Sequence, residues 1–290
     1  MKKTIATVLL SIFAIVFVNA QNIEPQKIET KVSSTKHFSS SILLWMRTDK
    51  PRQAGMDRWK GPHSQIISAN KGLYEYRQLH FAEKNEGLWQ PIEGIETNIP
   101  QDRKIDGVAD VTLKNLLSVF RGKKQNKLAY ADEVNLFKRT ILYASFPKNS
   151  KWYNVAQPNE KIDAGAMVFF RKKQGVTDKE FANFFNEELV PTLANFGKLK
   201  ELRSKVYEPW KQKQWNTPNV AHDNDEKDQF QASLMLGFSN KGEMEQFFKS
   251  DELKKTSERI ALFCSAVNAY EIAETLTFVK DGKQLSQYEK

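Results

Sequence analysis

The 290-residue chain has a single cysteine, Cys264. One cysteine excludes an intrachain disulfide and the paired-cysteine zinc and haem motifs. Its neighbours Ala261, Leu262, Phe263 and Ala266 are mostly apolar, which predicts a buried, inert thiol. His63 has no second histidine or carboxylate at ligand spacing on its helix, so no metal site is expected. G-x-G-x-x-G and G-x-x-x-x-G-K loops are absent, which removes the usual phosphate cradles, and no G-x-S-x-G elbow exists. No cofactor is expected. Apart from Ile5 to Val18, no apolar run approaches the ~18 residues of a membrane span. The formal charge of +9 is interspersed. Lys123-Lys124 and Arg171-Lys172-Lys173 are short clusters, so a solvated basic surface is expected and nucleic acid is not.

What is present begins with a leader. Lys2 and Lys3 precede the apolar run, and Val18-Asn19-Ala20 ends in a small residue. This is the pattern of a bacterial secretory signal over residues 1–20, with a soluble mature chain from Gln21 in the periplasm or outside the cell. No membrane insertion is expected after cleavage. Residues 21–40 are polar, with no apolar period, and read as a flexible tether. The remainder can supply a substantial core from a chain with 19 Phe, 6 Trp and 8 Tyr.

From Ser41 the chain reads as two copies of one unit. In the first (41–146), strands are expected at 41–47, 73–81, 107–113 and 139–146. A helix is expected over 56–70, with further helical stretches at 116–120 and 129–137. After a linker (147–164), the second copy (165–280) repeats the order. Its strands are expected at 166–171, within 199–210, at 230–238 and within 267–279. Thr177 with Glu180 forms a capping box for a helix over 177–195, and 243–263 is helical. Residues 281–290 are a tail. Each copy is β-α-β-β-α-β, the ferredoxin-like order. The strands Ile42–Met46 and Met167–Phe170 are apolar on both sides. The expected class is therefore α+β: two tandem ferredoxin-like units whose antiparallel sheets face each other as an intrachain barrel. That pseudo-dimer would be a monomer or a weak oligomer.

The stretch most suggestive of chemistry is Trp59-Lys60-Gly61-Pro62-His63. Helical spacing puts Trp59, His63, Ile66 and Ile67 on one side. Pro62 cannot sit in a helix interior, so Gly61-Pro62 should restart the helix with His63 just inside it. Free backbone N–H groups there disfavour a cationic imidazole, a suitable setting for a proton acceptor. Equally, His63 can be a structural histidine in a core of Trp59 and Ile66.

These residues resemble an EthD-type domain of the dimeric α/β-barrel superfamily. The matching pieces are the first strand ending at Arg47, the Trp59–His63 helix, Gly72-Leu73-Tyr74-Glu75-Tyr76, and Asp106-Gly107-Val108-Ala109-Asp110. The second copy is divergent, with Phe184 and Glu188 where the first has Trp59 and His63. The resemblance implies a cleft for a small, largely apolar or aromatic molecule. It also implies cofactor-independent acid/base or monooxygenase-like chemistry with His63 as the catalytic residue. Arg47, Trp59, Tyr74, Tyr76, Arg77 and His80 become candidate ligand-binding residues. Alternation puts Tyr74, Tyr76 and Gln78 on one face of their strand, and Glu75, Arg77 and Leu79 on the other. A non-catalytic small-ligand-binding protein, or a structural periplasmic protein with its cleft filled by side chains, stays open as the alternative.

Overall fold

The computed structural model describes residues 24–290; the expected signal at 1–20 lies outside the described residues. Among the described residues eleven strands run in chain order: β1 (Ser34–Lys36), β2 (Phe38–Met46), β3 (Leu73–Phe81), β4 (Gly107–Leu113), β5 (Phe137–Ser145), β6 (Ser150–Tyr153), β7 (Ala164–Lys172), β8 (Glu201–Val206), β9 (Ala232–Phe238), β10 (Cys264–Lys280) and β11 (Lys283–Glu289). All pair antiparallel in one sheet of order β1-β6-β8-β9-β7-β10-β3-β4-β2-β5, with β11 hairpinned onto β10. The helices between strands are α1 (Arg52–Arg58) and α2 (Ser64–Ser68), α3 (Lys123–Glu133), α4 (Asp178–Asn183) and α5 (Val190–Asn195), and α6 (Lys241–Phe248) and α7 (Asp251–Phe263). The fold is α+β and antiparallel. The strings β3-β4-β2-β5 and β8-β9-β7-β10 have the same internal order.

The expected two facing sheets are instead one continuous sheet, because β10 pairs with β7 through its first half and with β3 through its second. β8, third from one end of this order, also reaches β5 at the other end. Glu208, just after β8, donates its N–H to the Ala144 carbonyl of β5 (2.8 Å), and the Ser145 hydroxyl donates to the Val206 carbonyl (2.7 Å). One sheet face therefore looks in on itself, and Leu43, Ile141, Met167, Phe169, Met235 and Tyr270 from many strands form one cluster there. The other face carries the helices, with separate clusters around Trp59 and around Phe184.

Three segments differ from expectation. The polar tether contains β1 and the start of β2, and the Ile28 N–H donates to Glu187 O (2.8 Å). The linker contains β6, paired on both sides by β1 and β8. The tail is β11. Each is a short or polar segment whose order comes from its neighbours rather than from its own apolar period. The capping box is present, with the Thr177 hydroxyl accepting from Glu180 N–H (3.2 Å) and Glu180 Oε2 accepting from Thr177 N–H (2.8 Å). Cys264 is fully buried, and burial pushes its thiol well above the usual range.

Candidate functional site

The site grows from the break at Gly61-Pro62. Pro62 has no N–H to give the preceding turn, and Gly61 leaves helical geometry (φ −90°, ψ −108°). Trp59–His63 is therefore the kink at which α1 stops and α2 starts. The Ser64 hydroxyl lies 2.8 Å from both the Lys60 and Gly61 carbonyls, which the break leaves short of helical donors.

Trp59 is fully buried. It stacks on His80 (ring centroids 4.4 Å, planes 11° apart) and meets Phe137 edge-on (6.2 Å). Its carbonyl accepts from Gln78 Nε2 (2.8 Å), which also donates to the Tyr76 hydroxyl (2.8 Å). Beneath the indole lies Gly107, where a Cβ would fall 2.7 Å from a ring carbon and 2.6 Å from the Leu79 carbonyl. Only glycine fits. The neighbouring Asp106 ties β2 to α1, accepting from Met46 N–H (2.8 Å) and Arg52 Nε (2.6 Å). Burial holds the His80 imidazole down at about 4, so His80 is a neutral platform for Trp59.

His63 is buried beside Phe137, and its Nδ1 lies 3.0 Å from Asp132 Oδ2. Asp132 also binds Arg58. The hydrogen bond from His63, with help from Arg58, holds the Asp132 carboxyl at about 2. An ionised carboxylate only accepts, so Nδ1 carries the hydrogen and Nε2 is left for another partner. Among the described residues, Nε2 has no hydrogen-bond partner. The expectation of an imidazole facing free N–H groups gives way to an imidazole held by a carboxylate.

Next to Asp132, Glu133 is buried and accepts from Trp215 Nε1 (3.1 Å) and from the Thr217 hydroxyl. Burial dominates over these donors and lifts its carboxyl to about 7. Sequence reasoning missed both acids. One signal was available: Asp132-Glu133 ends α3, where the helix dipole disfavours negative charge. Trp215 and Thr217 come from the β8–β9 connection, which therefore roofs the first half.

A cavity of about 360 Å³ lies between these helices and β2–β5. Ile42, Leu44, Leu73, Val111 and Phe137 make its walls largely apolar, and His63 and Glu133 both line it. Trp59, Tyr76 and Ile67 line it too, while His80 stands behind Trp59.

The other candidates lie elsewhere. Arg47 is bound to Asp49 (Nε to Oδ1 2.8 Å) and to the Val134 carbonyl (2.7 Å), outside the cavity. Tyr74 donates its hydroxyl to Asp281 (2.9 Å). A bulge between Leu73 and Glu75 in the β3–β4 register breaks the alternation, so Leu73 takes the cavity face and Tyr74 leaves it. Arg77 points to the inward sheet face, donating to Glu201 (Oε1 2.9 Å). There it lines a separate cavity of about 690 Å³ with Glu75, Glu201 and Arg203. Deeper on that face Lys205 pairs with Asp110, both buried. In the second half, Phe184 and Glu188 have partners of their own. Phe184 stacks on Phe263 (4.3 Å), and Glu188 is paired with Arg259 (2.6 Å). Among the described residues no group of three or more His, Cys, Asp or Glu could hold a metal, and no helix is long and apolar enough to cross a membrane.

No protein-family model matches the chain, and no curated protein matches it. Solved structures do. An anthrone oxidase-like protein superposes with a TM-score of 0.53 at 10% identity, over 88% of this chain and 98% of its own. What the two share is an α+β fold built on an antiparallel sheet. Provisionally named monooxygenases of Lactobacillus acidophilus (TM-score 0.49, 10% identity, 87% of this chain and 100% of theirs) and Fusobacterium nucleatum (0.49, 10%, 88% and 99%) also match. At these identities the likeness concerns the fold alone.

Proposed function

We propose that this is an exported, EthD-like protein made of two tandem ferredoxin-like units closed into an intrachain barrel. Its first-half cavity takes a small, largely apolar aromatic molecule bearing a phenolic or enolic hydroxyl. The repeated strand order and the approach of β8 to β5 support the tandem reading. The observation that carries the function is the Asp132-held His63 in the wall of a largely apolar cavity. Few polar groups converging in an apolar pocket of this size are what small-ligand sites have in common.

In this reading His63 Nε2 takes the hydroxyl proton. Asp132, locked by Arg58, fixes the ring and stabilises the imidazolium that forms. Glu133, poised at about 7, can give or take a second proton across the cavity. Monooxygenase-like chemistry would add dioxygen as co-substrate to the resulting anion.

The test begins with the native ligand, identified by mass spectrometry of protein purified from its source. His63→Ala should then lower turnover about a hundredfold or more, as loss of a general base does. The Trp59 stack and the melting temperature should be largely kept. Undiminished turnover with a lowered melting temperature would show His63 to be structural. Ligand bound but never converted by either chain would favour the non-catalytic binding protein.

A further inference from the structure

Residues 114–130 carry a surface that the cavity chemistry does not use. Leu116, Leu117 and Phe120 are 58%, 67% and 65% exposed, and Val119 and Leu128 are 46% exposed. They lie on the 3-10 turn Leu116–Gly122 and on α3. Five cations surround them, Lys114, Arg121, Lys123, Lys124 and Lys127, all exposed. Between residues 111 and 131 there is no acidic residue. None of the five has an ion-pair partner among the described residues, whereas the exposed Lys280 has Glu289 and Lys241 has Glu271. Here the Lys123 ammonium lies 5.9 Å over the Phe120 ring instead.

The platform is held from beneath. Asn115 accepts from Ser118 N–H (3.1 Å), and Ser118 and Gly122 are buried. Gly122 sits so close to Asn70 that a Cβ would meet the Asn70 amide at 2.3 Å. The same turn forms the cavity rim through Ser118 and Val119.

Contiguous exposed apolar side chains of this kind mark an interaction surface. The ring of cations selects the partner. A second copy using the same patch would set five cations against five, because a two-fold interface brings like to like. An anionic phospholipid surface meets both demands: Leu117 and Phe120 enter the acyl boundary while the ammonium groups meet phosphates. We propose that residues 114–130 dock the protein peripherally on anionic phospholipid membranes, with the cavity rim towards the lipid. Docking does not depend on what the cavity holds.

The protein, expressed with its leader and purified from the soluble extract, is sedimented with vesicles of phosphatidylcholine, with or without phosphatidylglycerol. It should bind the anionic vesicles selectively, and added salt should weaken binding by screening. Lys123→Glu/Lys124→Glu and Leu117→Ser/Phe120→Ser should each weaken it about tenfold or more. Their melting temperatures should not change, since the side chains are exposed. His63→Ala should bind vesicles like the parent, which separates this proposal from the cavity reading. Equal binding to both vesicle types, or parental binding by both variants, would overturn it. So would a concentration-dependent dimer that both variants abolish in a protein that ignores vesicles.

Discussion

Glu133→Gln should make the protein more stable, and only at neutral to alkaline pH. Burial lifts the Glu133 carboxyl from its ordinary 4.5 to about 7. Below 4.5 the folded and unfolded chains both hold the proton, and the group has no pH-dependent effect. Between 4.5 and about 7 the folded chain keeps a proton that the unfolded chain has released, so stability falls as pH rises. Above about 7 the loss is complete. At 1.36 kcal/mol for each pH unit it amounts to roughly 3 kcal/mol. Glutamine keeps the shape and an acceptor for Trp215 and Thr217, and it never ionises. Urea and thermal unfolding of both chains at pH 5 and pH 8 is the assay. At pH 5 the two should differ little. At pH 8 the variant should gain roughly 3 kcal/mol, or roughly 6–12 °C in Tm for a chain of this size. Other titrating groups are common to both chains and cancel. The same difference at both pH values would refute the claim that desolvation controls this carboxyl.

Lys205→Met should cost about 3 kcal/mol in urea unfolding by stranding Asp110 on the inward face, the low end for a broken buried pair because Arg77 and Arg203 still attract it. Asp110→Asn in the same chain should restore part of the loss; full stability of the single variant would show the pair to be idle. For export, N-terminal sequencing of protein recovered outside the cytoplasm should begin at Gln21, and an intact Met1 would remove that reading.

The helix-facing half of the site was legible because its signals are local. Trp59 and His63 share a helix side, Gly107 follows Asp106 at the head of a strand, and β3 coincides with the expected span Leu73–Phe81. What escaped was set by partners distant in sequence. Glu133 becomes a poised acid only because Trp215 and Thr217, more than eighty residues away, close over it in a connection without period. Tyr74 leaves the expected face through a bulge that no spacing rule announces. The two-sided apolar pattern of β2 and β7 also misled for the inward face as a whole. β3, β4 and β8 put Glu75, Arg77, Asp110, Glu201, Arg203 and Lys205 there, with charges tolerable only because each meets its opposite.

β10 has a consequence for how the chain is made. Synthesis runs from the N-terminus, and this strand, Cys264–Lys280, emerges after the nine strands β1–β9. Until it arrives, β3 and β7 each present a bare hydrogen-bonding edge, and the two halves have no shared strand. Contacts such as Thr275 with Leu79 close a loop of nearly two hundred residues, the kind of pairing that slows folding most. A nascent chain is therefore adhesive until β10 is made. β10 acts as a clasp, and removing it would leave β3 and β7 bare and release both halves at once.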